Sequence, residues 1–279
     1  MIGTNPFAEL TTLISPMVMQ IYIIAMFVLV VGGTILDMMH KKSAEYFFAN
    51  SKEAEKNATR SVTSGEKMSL AIGTVANEVL TSSEFQNPKR RMSHLMLMYG
   101  FIAFVVSTVV LIFSYTGGDA APTLWTAMWH LGALSVAVGG YWFWFFIRVD
   151  VNSEGKSWYQ LCQADLFIVS LLMTVTFALI WSATLGGGLN MLWFAIFIAS
   201  STTLFSTVLW SKFAHMFFKP AAAYQKKITR ADGSRENLPV IPDLSSSETH
   251  ARYPDIPEYM GAKPVNMGLG IKREPPNHY

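Results

Sequence analysis

Residues 166–211 read LFIVSLLMTVTFALIWSATLGGGLNMLWFAIFIASSTTLFSTVLWS, 46 positions without one Asp, Glu, Lys or Arg. A helix rises 1.5 Å per residue, so about 20 apolar residues cross a hydrocarbon core of about 30 Å. The run is too long for one crossing, and Gly186-Gly187-Gly188 with Asn190 divide it into two. Working outward, the windows 17–36, 95–118 and 120–147 are equally free of charge. The whole chain of 279 residues is 51% hydrophobic and 14% charged, against roughly 25% charged in an ordinary soluble domain. A soluble globular enzyme is excluded. The expected fold is all-α, a polytopic membrane protein with five transmembrane helices at about 17–38, 93–115, 123–147, 158–184 and 189–218. Trp125, Trp142, Trp158, Trp193 and Trp210 flank these spans, as interfacial aromatics do.

Four regions follow. Residues 1–38 hold the N-terminus and span 1, 39–92 form a polar segment, 93–219 a four-helix membrane bundle, and 220–279 a Pro-rich tail. In the polar segment Met68, Ala71, Ile72, Val75 and Val79 recur at helical spacing, so an amphipathic helix is expected over 66–80, with Ser64 as its start signal. It would lie on the membrane or dock a partner. Residues 1–15 lack a basic n-region and the first apolar stretch is full length, so it is expected to stay as a helix. All 21 Lys and Arg fall in 37–94, in 148–157 or from Lys212 at the end of span 5 onward. Five crossings put those three segments on one side, and the positive-inside rule then sets the N-terminus out and the C-terminus in. The tail has eight of the twelve prolines, and Pro239-Val240-Ile241-Pro242 and Lys272-Arg273-Glu274-Pro275-Pro276 do not suit a helix. It is either a disordered tail or an extended arm that orders on a soluble partner through Tyr253, Ile256, Tyr259, Met260 and Met267.

The single cysteine, Cys162, excludes an intrachain disulfide, a Cys-rich iron–sulfur cluster, a Cys₂His₂ zinc site and a c-type haem motif. Histidine is the better guide to chemistry. His94 opens span 2 directly after Lys89, Arg90 and Arg91, and His215 closes span 5 between Lys212 and Lys219. Both are expected at one inner depth on different helices. Two such imidazoles suit the axial ligation of haem b iron, with Arg90, Arg91 and Lys212 on the propionate side. Alternatively both are interfacial histidines that snorkel like their basic neighbours. His130 precedes Arg148 by 18 residues, roughly 27 Å along a helix, and is therefore expected near the outer face. It is a quinone contact, a haem ligand or a hydrogen-bonded interhelix histidine. Asp165 is expected about 12 Å inside span 4, for proton handling, for pairing with Arg148 or for an interhelix bond. His40 reads as a flank residue level with the inner haem, and His250 and His278 as surface residues. The pairs Gly32-Gly33 and Gly139-Gly140 allow close helix packing or room for a flat cofactor.

Five spans, with Lys89-Arg90-Arg91-Met92-Ser93-His94 at the start of the second and Ser211-Lys212-Phe213-Ala214-His215-Met216-Phe217-Phe218-Lys219-Pro220 at the end of the last, resemble the gamma subunit of respiratory nitrate reductase. They also resemble the related cytochrome b subunits of heterodisulfide reductase, the sulfite-reductase-linked complex and the quinone-interacting oxidoreductase. Short size, Asn5-Pro6-Phe7-Ala8-Glu9-Leu10 and His40-Lys41-Lys42-Ser43-Ala44 are most similar to the membrane anchors of dissimilatory adenylylsulfate (APS) reductase in sulfur-oxidising bacteria. The resemblance implies a nitrate-reductase-gamma-like bundle in the bacterial cytoplasmic (inner) membrane, with one haem b on His94 and His215. It further implies exchange of electrons with quinone, and flavin and iron–sulfur reductase subunits docked on 39–92 and 220–279. Where the nitrate reductase type has two more histidines for an outer haem, this chain has Phe104 and Phe197. The bilayer and quinone are expected partners, nucleic acid is not, and catalytic residues are expected only in the soluble subunits. A haem-free structural anchor is the rival reading. A small-solute transporter fares worse, since no inverted repeat is visible.

Overall fold

The computed structural model describes residues 3–83, 85, 87–116, 120–148, 157–210, 215–235, 243, 244 and 246–255, with the backbone alone at 41, 43, 44, 215 and 217. All regular structure among the described residues is helical. A short α1 (Pro6–Leu10) precedes α2 (Pro16–Lys41), and α3 (Ser43–Lys56) and α4 (Ser64–Thr74, continued by a π turn Val75–Leu80) follow. Next come α5 (Pro88–Ser114), α6 (Thr123–Trp142, with a π turn Phe143–Ile147) and α7 (Leu166–Ala183, opened by a 3₁₀ turn Gln163–Asp165). The last are α8 (Asn190–Ser206), followed by a 3₁₀ turn Val208–Trp210, then α9 (His215–Ala231) and α10 (Ser247–Arg252). Among the described residues four helices are long and apolar enough to cross a membrane: Pro16–His40, Pro88–Ser114, Thr123–Ile147 and Gln163–Ala183. A multi-pass membrane protein is therefore the architecture.

Two spans differ from the expectation. Span 5 is not one helix over 189–218: α8 stops at Ser206, and its 17 residues reach about 25 Å. The sequence there is Ser200-Ser201-Thr202-Thr203, then Ser206-Thr207. These hydroxyls bond back to carbonyls of the preceding turn, ending with Thr207 Oγ1 to Thr203 O at 2.6 Å. Such back-bonding competes with the helix ladder and weakens it. Span 4 begins at Gln163 rather than 158, because Cys162 is extended and caps the turn, its N–H and thiol both bonded to the Asp165 carboxylate. Asp165 thus sits in the first turn of the span, not 12 Å inside it. Span 2 starts early for the opposite reason: Asn87 Oδ1 accepts from the N–H groups of Lys89 and Arg90, and Pro88 takes the first helical position.

Helices α5, α6, α7 and α8 make the bundle, and α2 lies along the groove between α5 and α8. The tightest seam joins α5 to α6. A Cβ at Gly132 would lie 2.8 Å from the Gly100 carbonyl oxygen and 2.8 Å from the Phe104 nitrogen. Backbone thus touches backbone, the packing that small residues permit where lipid supplies no hydrophobic drive. Ser93 Oγ donates to Gly139 O at 2.8 Å and Ser135 Oγ to Met96 O at 2.9 Å along the same seam. Gly139 and Gly140 are consumed by this packing, against Met96 and Leu172, so they leave no slot for a flat cofactor.

One end of the bundle is closed by α1. Asn5 caps it and donates from Nδ2 to Tyr115 O, and Phe7 and Leu10 are buried. We call this the plug end. The other, the cap end, carries α3 and α4, each packed on α9. The α3 helix was not expected, and the segment before Pro239 is not a bare tail, since 215–231 is helical. Thr59 and Arg60 donate backbone N–H groups to Asp232 O at 2.9 and 3.2 Å, and Lys227 pairs with Glu78 at 3.3 Å. The start signal of α4 is Thr63, one residue before Ser64, its Oγ1 accepting from Glu66 N. Arg60 reaches the Glu66 carboxylate in turn, and this bond holds the Glu66 carboxyl below its usual range.

Candidate functional site

Two clusters contain the residues that the sequence singles out. At the cap end, α5 opens with three cations in its first turn, where the positive end of the helix dipole disfavours them. Each of two finds compensation: Arg91 Nε donates to Thr81 O at 2.7 Å, and the Arg90 guanidinium lies 5.7 Å from the Phe85 ring centre. One turn on, His94 is half-buried, with its Nδ1 3.0 Å from Ser82 Oγ and its ring 4.9 Å from Phe85. Ser82 is 1% exposed and holds a left-handed backbone, φ 49°, which L-residues adopt at a cost. The chain accepts that conformation where it aims a hydroxyl at the imidazole. Lys219 of α9 places its ammonium 5.5 Å from the same Phe85 ring. His94, Arg90 and Lys219 thus converge on one phenylalanine. His215 opens α9 one turn before Lys219; its side chain, like all of Lys212, lies outside the described residues. His40 is exposed at the end of α2, and His250 bonds to Leu244 O within the tail.

Beside this cluster lies an ion pair. Arg148, just past the π turn of α6, grips Asp165 with two nitrogens, Nε to Oδ1 at 2.8 Å and an η nitrogen to Oδ2. Its guanidinium also donates to Trp158 O and Gln160 O and covers the Trp144 ring at 4.3 Å. The bond from Asp165 raises the pKa of Arg148 still further. Both oxygens of this carboxylate are engaged, so the geometry gives Asp165 a clamp's work, tying α6 to α7.

At the plug end His130 is 5% exposed. Its Nδ1 lies 2.7 Å from Thr126 O and its Nε2 2.7 Å from Ser182 Oγ. A carbonyl only accepts, so Nδ1 carries the proton and Nε2 accepts from the serine. Both nitrogens are committed to the bundle, the interhelix arrangement named among the alternatives. Around it stand Trp129 and Trp181, both fully buried, with Phe7 5.8 and 5.4 Å from their rings. Phe104 packs 5.3 Å from Trp129, Phe197 stacks on Trp181 at 5.8 Å, and the two phenylalanines are 6.5 Å apart. Trp129 Nε1 donates to Thr108 Oγ1, and Trp181 Nε1 to Asn190 Oδ1. Phe104 and Phe197, which stand where the nitrate reductase type has histidines, are thus engaged in mutual aromatic packing with the two tryptophans.

Three features escaped the sequence reading. Asp37 is 2% exposed near the end of α2. Its signal was the i, i+4 spacing from Gly33, whose Cβ would lie 2.9 Å from Val208. Ser82 had none, since its hydroxyl reaches His94 only through the turn after the π segment. The third is a crevice of about 220 Å³ between α2, α5 and α8. Its walls are apolar, Phe27, Phe101, Phe104, Phe197 and Phe205 among them, and Met216 of α9 also lines it. Tyr22 at its side bonds to Ser201 Oγ and Thr202 Oγ1. Among the described residues no three His, Cys, Asp or Glu side chains gather to hold a metal ion. No family model, no curated protein and no solved structure matches the chain.

Proposed function

We propose that the chain is a five-span, cytochrome b-like membrane subunit that anchors a soluble reductase and passes electrons between it and the quinone pool. In this reading the N-terminus faces out, the cap end faces the cytoplasm of a bacterial cell, and the apolar α8 is the fifth span. The observation that carries it is the cluster at the cap end. His94 is oriented through Nδ1 by the Ser82 hydroxyl, the kind of supporting hydrogen bond that a ligand imidazole makes. Arg90 and Lys219 bring positive charge to the same place, suited to propionates. Lys219, whose ammonium reaches the Phe85 ring beside His94, is one helical turn from position 215. One haem b on His94 and His215 would supply one-electron carriage between a flavin or iron–sulfur partner and quinone. The chain's own residues do the rest: Ser82 sets the imidazole, the cations hold negative charge, and the Arg148–Asp165 clamp fixes the rim. The crevice between α2, α5 and α8 suits the isoprenoid chain of a quinone.

The partner reading rests on the resemblance to the anchors of APS reductase. In that case the soluble enzyme oxidises sulfite with AMP, and its electrons arrive at the cap end. The helices α3, α4 and α9 offer it a folded platform with a polar hollow of about 480 Å³, walled by Glu55, Arg60, Lys67, Tyr224 and Asp232. The test is a dithionite-reduced minus oxidised spectrum of the purified chain with a pyridine haemochrome count. A b-type spectrum, lost in both His94→Ala and His215→Ala, is expected. A flat spectrum in protein that still holds its partner establishes the second reading, a haem-free anchor. That reading has its own support in the committed nitrogens of His130 and the aromatic fill at Phe104 and Phe197.

A further inference from the structure

Helix α4 and its π turn are amphipathic in the reverse of the soluble sense. Met68, Ile72 and Val75 recur on one face and are 63%, 63% and 50% exposed, and Leu80, at the end of the π turn, is 48% exposed. Gly65, Ser69 and Ala76 complete that exposed face, which carries no charge. The polar groups lie opposite, against α9. Lys227 donates to Gly73 O at 3.4 Å and pairs with Glu78, and Thr74 is buried. A segment that keeps its charges off one face and turns Met, Ile and Val outward there is suited to apolar surroundings on that face.

Depth identifies those surroundings. Tyr99 Oη donates to Leu80 O at 2.7 Å, Arg91 Nε to Thr81 O, and Ser82 meets His94. Residues 80–82 therefore run beside the first turns of α5, a helix long and apolar enough to cross a membrane. Met92 and Tyr99, seven residues apart on α5, are themselves exposed. The stripe on α4 thus continues the lipid-facing surface of a span. Lys89, Arg90 and Arg91 start α5 at this level, where headgroup phosphates lie.

We propose that α4 and its π turn lie in the headgroup–acyl boundary of the bilayer, with Met68, Ile72, Val75 and Leu80 sunk among the acyl chains. The occupant of this face is the lipid leaflet, and a soluble partner would meet the other sides of the cap. The inference is independent of haem. Its test uses the full chain with Cys162→Ser, reconstituted in vesicles of phosphatidylcholine and phosphatidylglycerol. Nitroxide labels are placed singly at Met68→Cys, Ile72→Cys and Val75→Cys, with Lys67→Cys as the control. The three labels are expected to collide several-fold more with oxygen, and several-fold less with a water-soluble nickel chelate, than the control. Equal nickel access at all four positions overturns the proposal and assigns the face to a soluble protein. Hydrogen exchange in the unsubstituted chain gives a second reading that no folding failure can spoil. Protection of 64–80 that is several-fold greater in vesicles than in short-chain detergent supports leaflet contact; equal protection counts against it.

Discussion

At the plug end, Phe7, Trp129, Trp181, Phe104 and Phe197 close on one another, and the one histidine has both nitrogens bonded to its own bundle. At the cap end, His94, Arg90, Lys219, Arg148 and Asp165 sit at the rim, and aromatic rings serve as surfaces for cations. The first end spends its large side chains on dispersion and area. The second spends backbone strain, at Ser82, and charge placed against a helix dipole. Strain and opposed charge are kept where something other than packing is gained, so the cap end is where a ligand or partner is expected.

Four experiments probe this contrast. If the plug end is packing alone, Trp181→Ala costs about 3–5 kcal/mol in unfolding experiments, the range for a buried tryptophan, while hydrogen exchange in the cap stays unchanged. A cap that loosens equally would erase the distinction. Next in size is Arg148→Ala, which strands the Asp165 carboxylate at 12% side-chain exposure and costs about 3 kcal/mol. Its local sign is faster hydrogen exchange over 158–165, the segment whose carbonyls Arg148 binds and whose first turn Asp165 closes. Ser82→Ala removes one hydrogen bond, worth about 1 kcal/mol, and is expected to shift the ¹⁵N resonance of His94 Nδ1. An unmoved resonance would show that Ser82 does not orient the ring. Smallest is the response of Arg60–Glu66 to acid. The Glu66 carboxyl is held low by Arg60, so the contribution is complete above the ordinary glutamate value and fades as pH falls through the lowered one. Between neutral pH and about pH 3, protection of the 59–67 amides relative to their intrinsic exchange rates is expected to fall first, with the plug end unaffected.

The spans were legible because charge is forbidden in a bilayer core, so four empty windows announce them without any alignment. Their ends were less so. The break after Ser206 comes from hydroxyls competing for backbone carbonyls, and a count of apolar residues cannot see that. The start of span 4 depends on a carboxylate folding back onto Cys162, which moved Asp165 from the interior to the rim. The α3 helix has ordinary polar composition, and only its contacts with α9 make it part of a unit. Phe7 entered the sequence analysis only within the segment 5–10 that carries the resemblance, yet it is 3% exposed and packs between two tryptophans. In the candidate site, the spacing of His94 and the nearby cations was plain, whereas Ser82, Phe85 and Lys219 are joined to it only by tertiary folding.

The interruption after Ser206 has a mechanical consequence. Because α8 does not run on into α9, the helix that begins at position 215 is held by its contacts with α3 and α4. Anything that bonds simultaneously to His94 and to the start of α9 becomes a rivet between the two. By linkage, its binding energy then also favours the docked arrangement of the cap. Occupancy of that bond would report to the soluble face as a change in the posture of its platform, without any signal crossing the bundle.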